Sequence, residues 1–250
     1  MKSNLLKYPL KSHRKEILIP QESVYLAEFM GIVFGDGGIN NDWQLVISLN
    51  SERDLEYSKY VVKLIKTLFS LEISIRKRPR QNTLVIVCSS MNLLDFLIEK
   101  GAVKGNKIRQ KFDIPKWISG NSSYEKAFVR GVVDTDGCLY THKHKVAGKV
   151  YTNIGFCFAS SSPPLLKSVG NILRLVGIEP HIKYEKNSIY LYSSKAVLKY
   201  LQIFGSSNPR VLNKYINWRG AGVDDQADLE SLYSRKVIVG SNPTLSALNN

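Results

Sequence analysis

Val24–Ile39 reads VYLAEFMGIVFGDGGI and Tyr124–Leu139 reads YEKAFVRGVVDTDGCL, one pattern written twice at an offset of 100 residues. Each copy is a largely apolar run with small residues four apart, Gly31 with Gly35 and Gly131 with Thr135. On a helix that spacing puts both small residues on one face, and a face without bulk lets two backbones approach closely. The two runs are therefore expected to be helices that pack on each other through these four positions. Asp36-Gly37 and Asp136-Gly137 follow directly, a carboxylate at each helix end with a glycine placed as a left-handed cap.

An acid at a helix C-terminus faces the negative end of the macrodipole, which costs roughly 0.3–1 kcal/mol unless a positive charge joins it. Packed helices would bring Asp36 and Asp136 together at one edge of their contact, and a metal ion is the simplest partner for both. Hard oxygen donors with few His or Cys nearby suit Mg²⁺, with Mn²⁺ as a substitute. Ions held this way can activate water and stabilise the leaving oxygen in phosphodiester hydrolysis. Asp134 has Phe34 as its counterpart, so the shared acidic positions are those of Asp36 and Asp136.

Working outward, NTLVIVCSSMNLLDFL from Asn82 is echoed by NSIYLYSSKAVLKYL from Asn187, each a strand-like run, a double serine and a helical period. LNSERDLEYSKYVVKLIKTLF from Leu49 and ASSSPPLLKSVGNILRLVGI from Ala159 fill the equivalent interval, polar residues leading into a helix. Each half thus reads helix, strands, helix, strands, helix, with short polar turns that suit antiparallel hairpins. The expectation is an α+β protein built as a duplicated domain. Its parts are a basic arm over 1–19, a first repeat over 20–113, a linker over 114–121, a second repeat over 122–218 and a tail over 219–250 without the repeat pattern, read as disordered.

Across 250 residues, 35 Lys and Arg face 21 Asp and Glu, a net charge of +14, while 44% hydrophobic positions supply a core and exclude a disordered chain. That balance makes a polyanion the expected partner, because cations that neutralise phosphates release condensed counterions. Cys88, Cys138 and Cys157 are odd in number and lack CxxC spacing, so neither a disulfide framework nor a zinc site is indicated. No apolar run approaches membrane length, and the basic N-terminus lacks a signal core. An intracellular setting is expected, a prokaryotic cytoplasm or an organelle matrix, with no secretion and no membrane partner.

FMGIVFGDG (Phe29–Gly37) and VRGVVDTDG (Val129–Gly137) resemble the paired motifs of the LAGLIDADG homing endonucleases, the single-chain kind with two repeats. IPKW before the second motif, the serine-rich helix starts and the strand–SS–helix segments extend the resemblance over roughly residues 20–218. It implies two pseudo-symmetric αββαββα repeats whose sheets form a saddle over double-stranded DNA. It also implies a monomer that makes a metal-dependent, staggered double-strand cut in a long target. The last acid of each motif is the metal ligand, here Asp36 and Asp136. Positions near the attacking water fall on Asn50 and Ser160, where relatives often carry Gln, and the family's catalytic-core lysine is not identified. An RNA maturase acting on its own intron, or a DNA-binding regulator, would use the same scaffold.

For the DNA surface, strand periodicity pairs Arg76 with Arg78 and Lys143 with Lys145, each pair projecting toward one groove. Lys77, Arg80, His142, His144, Lys149, Lys183 and Lys186 flank them in the same hairpins, with Trp43 and Gln44 nearby. A β-ribbon fits the major groove, where Arg and Lys reach guanine edges. The basic run Lys104, Lys107, Arg109 and Lys111 reads equally as phosphate contacts or as helix-exit charge. In the tail, VGSNPT (Val239–Thr244) can be encoded by GTTGG and CCAAC enclosing TTCGAAT, the shape of a transfer-RNA T-arm. An intron-encoded frame that runs out into a tRNA exon would account for it.

Overall fold

The computed structural model describes residues 13–220. Residues 1–12 of the basic arm expected over 1–19, and the tail beyond 220 with its VGSNPT segment, lie outside the described residues. The first half contains helix α1 (Val24–Phe34), strands β1 (Gly37–Ile39) and β2 (Gln44–Asn50), α2 (Leu55–Phe69), β3 (Ile73–Lys77), β4 (Thr83–Ser89) and α3 (Met91–Glu99). The second half repeats the order with α4 (Ser122–Asp136), β5 (Gly137–Val146), β6 (Lys149–Ala159), α5 (Pro163–Leu175), β7 (His181–Lys183), β8 (Ser188–Leu191) and α6 (Ser194–Ile203). A further helix, α7 (Pro209–Gly220), follows.

Each half is an α+β unit with one antiparallel four-stranded sheet, ordered β1-β2-β4-β3 in the first and β5-β6-β8-β7 in the second. Strand alternation decides which face meets the helices. Along β2, Leu45, Ile47 and Leu49 are buried while Gln44, Val46, Ser48 and Asn50 are half-covered, so the second set lines the opposite, open face. In the second sheet Ile154, Phe156, Phe158, Ile189 and Leu191 fill the helix side.

The two halves meet through α1 and α4. Ser23 caps α1 by accepting from the Leu26 N–H, and Asn121 caps α4 by accepting from Ser123 and Tyr124; both satisfy N–H groups that a helix start leaves unpaired. A Cβ on Gly31 would lie 2.3 Å from the Phe128 carbonyl oxygen, and one on Gly131 would lie 2.3 Å from that of Glu28. The backbones therefore touch where both residues lack a side chain. Gly35 faces Thr135 one turn further on.

Gly37 and Gly137 do not adopt the left-handed cap that Asp-Gly suggested. Gly137 is extended, with φ −102°, and Gly37 already belongs to β1. Their reason is closeness: a Cβ on either would lie 2.5 Å from the carbonyl oxygen of Val33 or Val133. The segment between the halves is packed: Ile118 is fully buried, and the Trp117 indole donates to the Lys100 carbonyl.

Candidate metal and nucleic-acid site

Asp136 ends α4, and Asp36 follows the C-cap Gly35 of α1. A Cβ on Gly35 would stand 3.3 Å from Asp136 Oδ2, so the second acid lies against the end of the first helix. Burial and then the charge of Asp136 push the Asp36 carboxyl up to about 7, with Asp54 adding to the rise. Burial likewise raises Asp136 to about 6. Two carboxylates that repel each other and have lost water are a site for cations.

One cation already belongs to the protein. Lys107, on the 3-10 turn Lys107–Arg109 after α3, points Nζ at the last carbonyls of α1, donating to Phe34 O at 3.0 Å and Gly35 O at 2.5 Å. The ammonium thus neutralises the helix end, the role assigned to a metal from the dipole argument alone. It also lowers the pKa of both acids, while its own is pulled down by burial. The sequence pointed to this lysine only as one of four in a basic run; the fold selects it.

Among the described residues no group of three or more His, Cys, Asp or Glu could hold a metal. The donor set still fits Mg²⁺, which typically keeps several waters and takes one or two carboxylates plus substrate phosphate oxygens. Asp36 and Asp136 would supply two such carboxylates.

Asp134, the acid without a counterpart, has a different task. It is fully buried and accepts from Ser206 Oγ and from the Ser207 and Asn208 N–H groups, holding the loop before α7. Ser207 in turn donates to Glu28, which is ion-paired with Arg130. On the pseudo-symmetric side the same positions are Phe34 and Phe128, whose rings pack edge to face at 5.3 Å. One flank of the helix pair is thus polar and the other aromatic. Asp134→Ala leaves the buried Ser207 N–H without an acceptor and takes one of two acceptors from the Asn208 N–H, which keeps Ser206 Oγ, at about 3 kcal/mol in total for the lost charge-assisted bonds. In thermal unfolding it should melt on the order of 6–12 °C lower, given about 2–4 °C per kcal/mol at this size.

Asn50 and Ser160 both serve local turns. Asn50 Oδ1 accepts from the Glu52 and Arg53 N–H groups, and Ser160 Oγ accepts from Ser162 N–H. Asn50 nevertheless shares the open face of the first sheet with Gln44, whose amide donates to Ser89 across the ladder. Arg76, opposite Val85, is on that face as well, and Lys77, opposite Leu84, is on the other. Arg78 and Arg80 lie in the β3–β4 turn, with Arg80 left-handed at φ 59°. Trp43 is exposed and stacks on His13.

In the long β5–β6 hairpin, alternation separates residues that the sequence grouped. His142 and His144 share the open face with Cys138 and Tyr140, while Lys143 and Lys145 fall on the side of buried Leu139. Lys149 begins β6 and Lys186 ends the 3-10 helix Tyr184–Lys186, both exposed, and Lys183 Nζ lies over the Tyr190 and Tyr192 rings. Aromatic residues that sequence reading passed over dominate this face: Tyr140 against His142, His144 stacked on Tyr151, and Tyr190 stacked on Tyr192. Their signal in the sequence is the alternation of rings with cations along these strands.

No helix among the described residues is long and apolar enough to cross a membrane. No curated protein matches the sequence. Residues 123–217 match the model of the LAGLIDADG-like domain. The I-LtrWI LAGLIDADG homing endonuclease, solved bound to target DNA, is similar in fold with a TM-score of 0.56 at 13% identity, over 88% of this chain and 99% of that one. A variant of I-SmaMI gives 0.53 at 10% identity, over 90% and 100%. Full-length DUF199/WhiA from Thermatoga maritima gives 0.50 at 15% identity, over 88% and 69%. With the paired helices and two sheets described above, residues 123–217 match a LAGLIDADG-like domain and the described residues have the two-repeat LAGLIDADG fold.

Proposed function

We propose that the protein is a site-specific, divalent-metal-dependent DNA endonuclease that makes a staggered double-strand cut as a monomer and is encoded within an intron. The observation that carries this reading is the pair Asp36 and Asp136, delivered to one place by two touching helices and held with raised pKa values by burial, and in Asp36 also by its neighbour's charge. Clamping a polyanion needs cations and gains nothing from two acids there. A regulator on the same scaffold, which the likeness to DUF199/WhiA keeps in view, would have no use for them.

Asp36 and Asp136 would hold Mg²⁺, or Mn²⁺ in its place, which supplies charge for the attacked phosphodiester and lowers the pKa of bound water. The chain's own residues do the rest. The +14 charge draws in the duplex, and the open faces of the two sheets receive it as a saddle. Lys107, beside both acids, places a positive charge where negative charge develops on the phosphate. Lys107→Met should lower the cleavage rate by about 10²-fold, the scale of one lost electrostatic donor, with duplex affinity little changed in a filter-binding assay.

The deciding experiment is incubation of the protein and Mg²⁺ with a duplex made from the joined exons that flank its reading frame. Cutting near the exon junction, stopped by EDTA, is expected. Intact DNA together with tight, metal-independent binding would favour the regulator, and selective binding of the intron transcript would favour the maturase.

A further inference from the structure

We propose that Cys138 and Cys157 are a redox-modifiable pair, closing to a cross-strand disulfide on the open face of the second sheet beside Asp136. The two residues are register partners on β5 and β6. Directly opposed residues on antiparallel strands have Cα atoms about 4.5 or 5.5 Å apart, inside the roughly 4.4–6.8 Å range that disulfides span. Being opposite, their side chains leave the same face, and the thiols are within hydrogen-bonding reach of each other. Cys138 is exposed and Cys157 half-buried, so a small oxidant reaches them; the third thiol, Cys88, is buried on the helix side of the other sheet.

The row across the sheet continues from Cys157 to Tyr190 and His181, and Cys138 is two residues from Asp136. A bridge would therefore lie in the floor of the proposed DNA groove, a placement that rests on the nuclease reading. Glutathione disulfide is a sufficient oxidant. One cysteine thiolate attacks it and releases one glutathione thiol, leaving a mixed disulfide. The second cysteine thiolate then attacks the protein-side sulfur and releases the other. Two protein thiols are oxidised, one glutathione disulfide is reduced to two thiols, and the protein loses two hydrogens. Exposed bridges of this kind are the labile, reversible ones.

The test treats the reduced full-length chain with glutathione disulfide and reads intact mass and a non-reducing tryptic map. Trypsin cuts at Lys143, Lys145 and Lys149 between the two cysteines, so the bridge appears as two peptides joined until reduced. Loss of two hydrogens, a joined pair carrying Cys138 and Cys157, and abolition of both in Cys138→Ser and Cys157→Ser are expected. No mass change, or separate glutathione adducts without a joined pair, would overturn the proposal. A pool of duplex fragments added beforehand should slow closure severalfold. An unchanged rate would remove the pair from the DNA groove while leaving the bridge itself standing, so the two readings fail separately.

Discussion

Asp36→Asn and Asp136→Asn are each expected to abolish double-strand cleavage while leaving duplex binding nearly intact. Asparagine keeps the size of aspartate and removes the charge that a divalent ion needs. Such an ion contributes several kcal/mol of charge stabilisation at a reacting phosphate, so the rate should fall on the order of 10³-fold or more. Binding survives because it rests on the open sheet faces and the excess of Lys and Arg, and a single nicked strand is an expected residue of activity. Undiminished cutting by either variant would reject the metal-site assignment. The same acids give a pH signature. With folded pKa values of about 7 and about 6 against the ordinary 3.8, the metal-free fold holds more protons than the unfolded chain between about pH 4 and 7. Its stability should therefore rise as pH falls through that window, and the rise should shrink in both variants. Divalent ions must displace those protons, so Mn²⁺ affinity, followed by calorimetry, should increase from pH 6 to pH 8.

Much of this site was legible because duplication supplies its own control. One Asp-Gly is an ordinary turn, but two in matched runs, with small residues at the same spacing, specify a helix pair and the place of its acids. The exclusion of Asp134 followed from its counterpart Phe34, and the structure supplies the reason in the loop that Asp134 anchors. Lys107 was not legible, because its role depends on a 3-10 turn folding back over 72 residues to Gly35. Nor was the cysteine pair, which only strand register brings together; a shift of one residue would have sent one thiol to the opposite face. The same parity removed Lys143 and Lys145 from the face that His142 and His144 occupy.

The separation of the acids depends on the separation of the helices, which makes Gly31 and Gly131 sensitive positions. Gly31→Val and Gly131→Val are expected to prevent folding. The added Cβ meets a main-chain carbonyl oxygen at 2.3 Å in each case, and no rotamer can move a carbonyl held in a helix. Ordinary overpacking by side chains costs about 1–3 kcal/mol; driving two backbones apart also opens the polar flank of Glu28, Arg130 and Ser207. Circular dichroism and expression should show little cooperative structure, and melting within a few degrees of the parent would disprove the close contact. Gly38→Ala is the matched control, since its Cβ would find Asn40 Nδ2 at 3.7 Å and nothing nearer. Gly35→Ala separates folding from function. Its methyl would overlap Thr135 Oγ1 and stand 2.9 Å from Thr135 Cβ and 3.3 Å from Asp136 Oδ2, but these are side-chain atoms at the very end of the helix pair, which can yield where a helix carbonyl cannot. Such a protein should fold, yet hold its two acids further apart, so its cleavage should fall while its duplex affinity stays with the parent.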